Sequence, residues 1–434
     1  MSDLTTDILD GVRKYHQDRQ EQREFVPGTT EIWPSGAVLT EEDRTALVEA
    51  ALEMRIASGG ISRRFESAFA RRMRRRKAHL TNSGSSANLL AVSALTSHLL
   101  GDRQLRPGDE VITVAAGFPT TVNPILQNGL VPVFVDVELR TYNTTVERVA
   151  EAIGPRTRAI VMAHTLGNPF EAAEIARLAE ERELLLVEDT CDAVDSTYDG
   201  QRVGSFGDLC TVSFYPAHHL TMGEGGCVLT SNLVLARIVE SLRDWGRDCW
   251  CEPGESDTCR KRFGYQMGTL PAGYDHKYIF SHVGYNLKST DLQAALGLSQ
   301  LDKLDGFSSA RRRNWRRLRE GLADLPWLLL PEPTPRSDPS WFGFALTVDP
   351  QAPFSRAQLV SFLEARKIGT RRLFAGNLTR HPAYADRPHR VSGDLVNSDL
   401  VTEHTFWVGV YPGLTEEMID YVVESITEFV GSQR

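Results

Sequence analysis

Short apolar runs alternate with amphipathic segments from residue 80 to about residue 215, and this alternation constrains the fold most. The runs are rich in Val, Ile and Leu, as strands covered on both faces are. Strands separated by helices imply right-handed crossovers and a largely parallel α/β sheet. The predicted strands are residues 110–115, 131–135, 159–163, 184–188 and 211–214, and predicted helices between them are 86–100, 145–152 and 171–182.

The two ends of the chain have different patterns. Residues 38–77 have a helical pattern broken at Gly59 and Gly60, with Thr40 and Asp43 resembling an N-cap and an acidic first turn. A long helix is predicted from residue 291 to about 325. Strand and helix signals then mix, with strands at 342–348 and 405–410 and helices at 356–367 and 416–430. We therefore predict a large cofactor-binding α/β domain (residues 1–300) that includes the N-terminal helices, and a smaller α+β domain (residues 301–434).

Composition excludes several classes of protein. A net charge of −9 over 434 residues argues against nucleic-acid binding. The N-terminus lacks the apolar core of a signal peptide, and no apolar run reaches the roughly 18 residues of a membrane span. We expect a cytoplasmic protein. Its six cysteines are then more typical of ligands or reactive thiols than of a disulfide framework.

Two local patterns suggest a phosphorylated cofactor. Gly84 and Ser85, in LTNSGSSANLL, can bring backbone N–H groups and a hydroxyl to a phosphate at a helix N-terminus, although a simple helix cap explains them equally. Asp189 ends a predicted strand at the edge where parallel sheets bind ligands. A carboxylate there can keep a pyridinium nitrogen protonated, or it can cap the following turn.

A longer motif runs from Ser213 to Gly226, SFYPAHHLTMGEGG. It resembles the S-F-x-x-x-K-x-[IL]-[TS]-x-G-E-G-G signature of the fold type I nucleotide-sugar aminotransferases, with His218 in the place of the lysine. The resemblance implies an aspartate aminotransferase-like fold. It also implies that Phe118 stacks on the pyridine ring, that Ser213 binds the cofactor phosphate, and that Asn286 reaches the phosphate of the neighbouring subunit in a homodimer.

The missing lysine changes the chemistry that the motif allows. A lysine amine is needed to hold the aldehyde form of the cofactor covalently, and the chain has no lysine between Lys77 and Lys261. Histidine cannot form that bond, but it can act as a general base. His218 is therefore either a base that acts with pyridoxamine phosphate or the mark of a decayed enzyme. Whether His219 shares the role is left open.

Four cysteines have a distinctive spacing, C-x57-C-x1-C-x7-C. Cys191 follows Asp189 by two residues, and the other three lie in an irregular region, residues 247–281. Four thiolates can bind zinc or a 2Fe–2S cluster, and the spacing fits the short knuckles of zinc sites poorly. Cys210 and Cys227 lie in apolar runs and are expected to be buried thiols. The predicted metal ligands are Cys191, Cys249, Cys251 and Cys259.

Together, the histidine and the cysteine spacing resemble the CDP-6-deoxy-L-threo-D-glycero-4-hexulose-3-dehydrase family and its TDP-sugar relatives. Asp192 and Tyr215 also follow the pattern of that family and are predicted beside the cofactor. The resemblance implies a nucleotide-linked 4-keto-6-deoxyhexose 3-dehydratase, in which His218 removes a proton and the C3 hydroxyl leaves as water. One-electron reductions through a 2Fe–2S cluster would follow. The electrons would come from a flavin reductase or a ferredoxin system, since the chain shows no G-x-G-x-x-G fingerprint at a strand end.

The substrate contacts are less defined. Arg371, Arg372, Phe374 and Asn377 have the chemistry to bind a sugar and a diphosphate, although surface charges on a loop explain the arginines equally. The sequence does not choose between CDP and TDP. Two other functions compete: an aminotransferase that uses free cofactor, and a catalytically inactive binding protein. The four cysteines are less consistent with either of these functions than with a 3-dehydratase.

Overall fold

The computed structural model describes residues 3–19, 24–251 and 255–433. The helices are α1 Asp3–Arg19, α2 Glu41–Leu52, α3 Gly60–Arg72, α4 Gly84–Leu95, α5 Pro119–Gln127, α6 Val146–Ala152, α7 Ala172–Glu181, α8 Leu233–Arg243, α9 Asp291–Leu301, α10 Leu304–Gly321, α11 Arg356–Ala365, α12 Pro382–Ala385, α13 Val396–His404 and α14 Glu416–Gly431. The strands are β1 Lys77–Thr81, β2 Glu110–Val114, β3 Val131–Val135, β4 Thr157–Ala163, β5 Leu185–Asp189, β6 Thr197–Tyr198, β7 Gln201–Arg202, β8 Leu209–Ser213, β9 Gly226–Thr230, β10 Leu328–Leu329, β11 Ser337–Asp338, β12 Gly343–Val348, β13 Arg371–Arg372, β14 Arg390–Val391 and β15 Thr405–Gly409.

An eight-stranded sheet has the order β1-β9-β8-β5-β4-β2-β3-β14, and its last strand, β14, comes from the C-terminal part of the chain. The pairings from β8 to β14 are parallel, and β9 pairs antiparallel with both β8 and β1. Alternate residues of a strand face opposite sides, so Ala159 and Val161 pack with α4 and α8, whereas Ile160 and Met162 pack with α6 and α7. Helices thus cover both faces, which confirms the predicted α/β class.

The strand ends place the site. In parallel strands the carboxyl ends lie at one edge, where the connections to the next helices open a cavity. Strand β5 ends at Asp189 and β8 ends at Ser213, and these strands are neighbours. Strand pairing thus brings the ends of these two strands together, with Asp189 opposite Thr211, two residues before Ser213.

The N-terminal prediction is confirmed in part. Thr40 and Asp43 form a capping box at the start of α2, and Gly60 begins α3. The helical pattern ends earlier than predicted, because β1 starts at Lys77 and pairs with β9. The predicted helix 86–100 likewise ends at Leu95 and is followed by a 3-10 turn.

A second sheet of four antiparallel strands, β10-β12-β15-β13, forms the centre of the C-terminal part. Its core includes Phe344, Leu346, Phe406 and Val408 and is covered by α10, α11 and α14. The long helix predicted from residue 291 is two helices, α9 and α10, separated at Asp302–Lys303. The domain boundary near residue 300 stays a prediction. A third sheet joins β11, β6 and β7.

None of the helices in the described residues is long and apolar enough to cross a bilayer.

Candidate active site

A cavity of about 540 Å³ opens at the carboxyl edge of the large sheet. Its walls come from the starts of α4 and α5, the ends of β5 and β8, and β13 with the turn that follows it. Most of the predicted cofactor residues line it, and so do three of the four candidate substrate residues. The predicted residues in the wall are Gly84, Ser85, Phe118, Asp189, Cys191, Asp192, Ser213, Tyr215, His218, Arg371, Arg372 and Phe374.

One end of the cavity has the features of a phosphate site. Ser83 caps α4 by accepting a hydrogen bond from the Ser86 backbone N–H, which leaves the exposed hydroxyl of Ser85 at the helix N-terminus. Gly84 packs against Ser213 so closely that a Cβ at Gly84 would lie 2.5 Å from the Ser213 Cβ. Free N–H groups at a helix start attract anions, so this corner suits a phosphate.

Asp189 lies buried on the cavity wall with a fixed carboxylate. One oxygen, Oδ2, accepts hydrogen bonds from Asn88 Nδ2 at 2.8 Å and Thr121 Oγ1 at 2.7 Å. The other, Oδ1, accepts from the Cys191 N–H at 3.1 Å. Three residues, one of them about a hundred positions away along the chain, thus hold one carboxylate in place. This favours a ligand-binding role over the alternative of a simple turn cap.

His218 faces Asp192 across the cavity wall. Its Nδ1 lies 3.3 Å from Asp192 Oδ1, within ion-pair distance. The two groups are not oriented as in a hydrogen bond. His218 Nδ1 and Asp192 Oδ2 each have no hydrogen-bond partner among the described residues. Burial raises the pKa of Asp192, and the nearby His218 partly offsets this. Two buried polar atoms without partners point to a position that a ligand completes.

Arg311, a residue of α10, holds the turn that carries His218. Its Nη2 donates to the His218 carbonyl oxygen at 2.9 Å, and its Nη1 donates to the Trp341 carbonyl at 3.2 Å. Arg311 is 1% exposed, and burial lowers its pKa to about 10. No local pattern in the sequence marks Arg311, because its contact with the His218 carbonyl joins positions about 90 residues apart.

His219 does not line the cavity. Its Nε2–H donates to the Ser340 carbonyl oxygen at 2.6 Å, and burial lowers the pKa of its imidazole well below the usual range. The described contacts therefore give His219 a structural position and leave the cavity to His218.

Aromatic side chains line the open side. Phe118 and Tyr215 are about half exposed there, and Phe118 meets Phe374 edge-on with ring centroids 5.9 Å apart. The Phe342 ring lies 5.2 Å from His218. The half-exposed rings of Phe118 and Tyr215 can pack against a flat heteroaromatic ligand.

Some of the candidate substrate residues line the cavity and others do not. The exposed Arg371 and Arg372 lie on β13 beside β15 and line the cavity with Phe374. Asn377 lies outside the lining: it is buried and donates through Nδ2 to Asp399 Oδ1 at 2.8 Å. Asn286 is also outside the cavity lining, with an exposed side chain and a backbone bridge to Asp244.

The candidate metal ligands also lie in two different places. Cys191 lies in the cavity wall, where burial and the neighbouring Asp189 raise the pKa of its thiol well above the usual range.

The other three candidate ligands lie together in the loop, and burial and the neighbouring thiols of Cys251 and Cys259 raise the pKa of Cys249. Residues 252–254 of the predicted 247–281 region lie outside the described residues. Within the described part, no group of three or more His, Cys, Asp or Glu side chains is arranged to hold a metal ion. Cys210 and Cys227 are buried thiols, as predicted.

Comparisons with known proteins show the family of this chain. The model of the DegT/DnrJ/EryC1/StrS aminotransferase family matches residues 38–427. A dTDP-4-dehydro-2,6-dideoxy-D-glucose 3-dehydratase of Saccharopolyspora spinosa is 71% identical over 423 residues, covering 98% of this chain and 91% of that protein. The lipopolysaccharide biosynthesis protein RfbH of Salmonella typhimurium is 52% identical over 431 residues, covering 99% of each.

A solved structure shares the fold. The E. coli GDP-4-keto-6-deoxy-D-mannose 3-dehydratase with bound hydrated PLP superposes with a TM-score of 0.82 at 27% identity. The match covers 91% of this chain and 99% of that one. The predicted fold type I architecture is thereby confirmed.

Proposed function

Because this chain belongs to the DegT/DnrJ/EryC1/StrS aminotransferase family, we propose that it is a pyridoxamine phosphate-dependent nucleotide-sugar 3-dehydratase. It removes the C3 hydroxyl of a nucleotide-linked 4-keto-6-deoxyhexose in deoxysugar biosynthesis. The 71% identical relative is named for a dTDP-linked 2,6-dideoxy sugar. We extend that substrate to this chain, so the nucleotide is dTDP and C2 is already deoxygenated.

One observation carries the proposal. His218 occupies the place of the lysine in the family signature and faces the cavity, and no lysine is among the described residues that line it. An enzyme without that lysine cannot hold its cofactor as a covalent aldehyde adduct. This favours dehydration over the alternative, amino transfer.

The residues present fit pyridoxamine phosphate. The α4 N-terminus with Ser85 and Ser213 suits its phosphate, and Asp189 suits its ring nitrogen. Phe118 suits the face of its ring. When bound, the cofactor supplies an amine for the sugar ketone and a ring that can accept electrons.

His218 has the position of a base. Because its Nδ1 is turned toward Asp192, Nε2 is the nitrogen left for proton transfer. A negative charge at Asp192 stabilises the imidazolium that forms when Nε2 takes up a proton. The C3 hydroxyl would then leave as water, with the imidazolium of His218 returning the proton that completes it. Arg371 and Arg372 at the cavity mouth suit the diphosphate of the substrate.

Product analysis tests the reaction. The protein with pyridoxamine phosphate, a dTDP-linked 4-keto-2,6-dideoxyhexose and an external reductant is expected to give the 3-deoxy product. His218→Asn should bind the cofactor but lose proton exchange. Amination of the same sugar with glutamate as the donor would instead support the aminotransferase.

Borohydride treatment with pyridoxal phosphate gives a second test. His218→Lys should become covalently labelled at residue 218, and the parent protein should not, because only lysine offers an amine there. Labelling of the parent at another lysine would contradict a site without a covalent link.

We also propose that the loop thiols hold a 2Fe–2S cluster, with Cys191 as the predicted fourth ligand. The three loop cysteines lie near one another, and Cys251 N–H donates to Cys249 Sγ at 3.4 Å. Such a cluster transfers one electron at a time when bound. The two electrons that a 3-deoxy product requires come from outside the chain, from a flavin reductase or a ferredoxin system.

Metal analysis of anaerobically purified protein tests the cluster. About two irons and two sulfides per chain are expected. Serine in place of each of the four cysteines should lower this content, and Cys210→Ser serves as the control, since that thiol is buried in the sheet. A colourless sample that contains zinc would contradict the proposal.

Two further proposals concern the state of the protein in the cell. We propose a cytoplasmic homodimer in which the exposed Asn286 completes the site of the other subunit. The exposure of its side chain supports this arrangement.

A further inference from the structure

The turn between β8 and β9 that carries His218 is held by a buried arginine. Arg311 projects from the buried face of α10 and is 1% exposed. Its Nη2 donates to the carbonyl oxygens of His218 at 2.9 Å and Ala217 at 3.4 Å. One nitrogen thus holds two consecutive residues of the turn that carries the proposed base.

The other side of the same guanidinium holds a different segment of the chain. Nη1 of Arg311 donates to the carbonyl oxygens of Trp341 at 3.2 Å and Phe342 at 3.5 Å. These two residues come directly before β12, and the Phe342 ring lies 5.2 Å from the His218 ring. Arg311 therefore fixes the backbone on both sides of this ring contact.

The second segment has further attachments. The Phe342 N–H donates to the Leu166 carbonyl oxygen at 2.8 Å, in the turn that follows β4. The Trp341 ring stacks on Trp315 with ring centroids 4.2 Å apart. Since Trp315 lies one turn after Arg311 on α10, this helix holds the segment at two points. The segment thus gives the His218 turn a fixed support.

The contacts of Arg311 use the shape of its guanidinium. Each hydrogen bond that it makes within the described residues ends at a backbone carbonyl oxygen. Burial of a cation is costly, and buried charges usually pair with opposite charges. Lysine has a single point charge, whereas the planar fork of arginine can reach two segments at once. The fork is therefore what joins the two segments here.

We propose that Arg311 is a positioning residue for His218. It clamps the turn at Ala217 and His218 to the segment at Trp341 and Phe342, and so fixes the imidazole against the Phe342 ring. This inference rests on the proposed function, in which His218 transfers the proton. A base acts only within hydrogen-bond reach of the proton that it removes, so a small displacement of the turn slows that step. Arg311 is not among the residues that line the cavity, so it acts through His218.

Two substitutions in the full-length protein test the clamp. Arg311→Met keeps a long side chain but removes every donor, and Arg311→Lys keeps one donor group that cannot bridge both segments. The matched control is Asn314→Leu. Asn314 lies on the same buried face of α10 and also donates to two carbonyl oxygens, those of Val410 at 3.3 Å and Tyr411 at 3.2 Å.

The kinetic readout is proton exchange at bound pyridoxamine phosphate with the sugar substrate. Arg311→Met should lower kcat by roughly 10- to 100-fold with little change in KM, because only the proton-transfer step loses its geometry. Arg311→Lys should lose less than Arg311→Met, and Asn314→Leu should keep the parent kcat. Urea unfolding shows which variants are folded under the assay conditions. If Arg311→Met does not fold, Arg311→Lys decides: a lowered kcat supports the clamp, and a parent-like kcat overturns it.

A second readout needs no cofactor. Diethyl pyrocarbonate should modify His218 faster in Arg311→Met than in the parent, because the imidazole is no longer held against the Phe342 ring. Asn314→Leu should match the parent, and equal modification rates in Arg311→Met and the parent would contradict the clamp.

A double-mutant cycle with His218→Asn separates positioning from a general loosening of the structure. If Arg311 acts through His218, Arg311→Met should slow the residual exchange of His218→Asn no further, since the group that it positions is gone. Losses that multiply in the double variant would overturn the inference.

The outcomes also distinguish this inference from the proposed function. Parent-like exchange in His218→Asn would overturn the proposed function, while the modification rates still decide whether Arg311 holds the ring. Loss of exchange in His218→Asn, together with parent-like kcat in a folded Arg311→Met, would overturn this inference alone.

Discussion

His218 depends on Asp192 for the direction of its ring. The two groups lie 3.3 Å apart in a cavity wall where each has a polar atom without a hydrogen-bond partner among the described residues. Burial raises the pKa of Asp192, so this carboxylate is a costly group to keep. A buried carboxylate beside a base, with the energetic cost of its burial, is expected where the pair takes part in catalysis.

Replacing Asp192 by Asn tests this dependence. We expect proton exchange at the cofactor to slow by roughly 10- to 100-fold, the usual effect of removing the group that orients a catalytic residue. Rates of proton exchange, measured with cofactor content as a check, would show this. Asp195→Asn, whose carboxylate faces Arg72 and Arg202 instead, is the control, and an equal loss there would contradict the assignment.

At the scale of residues, the sequence identifies groups that belong to a motif or that end a strand. Asp189 and His218 are of this kind, and both line the cavity. Asn88, Thr121 and Arg311 were not identified, since each acts through a contact with a distant element that no local pattern records.

At the scale of elements, the start of α4 packs against the end of β8. This contact forms the corner of the cavity that suits a phosphate. Gly84→Ala should place a methyl group against Ser213 and destabilise the fold by about 1–3 kcal/mol, the usual cost of overpacking. Pyridoxamine phosphate affinity should fall with it. Gly60→Ala is a matched control, because Gly60 also begins a helix and a Cβ there meets nothing within 4 Å. Chemical unfolding and cofactor titration measure both effects, and equal results for the two variants would contradict the close packing.

Strand β1 buries a histidine, which predicts acid sensitivity. Burial lowers the pKa of His79 to about 3 from 6.5. Below pH 6.5 the unfolded chain takes up a proton that the folded chain does not accept until near pH 3, so the free energy of unfolding falls as the pH drops through this range.

Replacing His79 by Phe measures that contribution. Between about pH 7.5 and about pH 5.5 the parent should lose about 1.4 kcal/mol more unfolding free energy than His79→Phe. Urea unfolding at the two pH values gives the difference. Identical losses would mean that His79 titrates normally in the folded chain.

The elements that sequence predicts well are the parallel strands, since their burial on both faces leaves continuous apolar runs. β3 has the predicted bounds, and β2, β4, β5 and β8 differ by one or two residues. β1, with Lys77 and His79, was not predicted, because polar residues interrupt its pattern. The turn between α9 and α10 was also missed, because Asp302 and Lys303 are as compatible with a helix as their neighbours are.

At the scale of the whole molecule, the cavity and the thiol loop are built from different parts of one chain. Asp189 and His218 lie at the carboxyl edge of the sheet, whereas Cys249 and Cys259 lie in the loop that follows α8. Asn286 comes shortly after this loop and faces outward. In the proposed homodimer, this side chain would reach the phosphate site of the other subunit.

Mixed dimers test whether two chains build each site. His218→Asn and Asn286→Ala, co-expressed with different tags and purified as the heterodimer, should regain about half of the parent activity, because one of two sites then has both residues intact. Each homodimer should remain inactive or weak. Mixing His218→Asn with Asp189→Asn is the matched control: both residues line the same cavity, so no site is restored. Equal activity of the two heterodimers would place Asn286 at the site of its own chain.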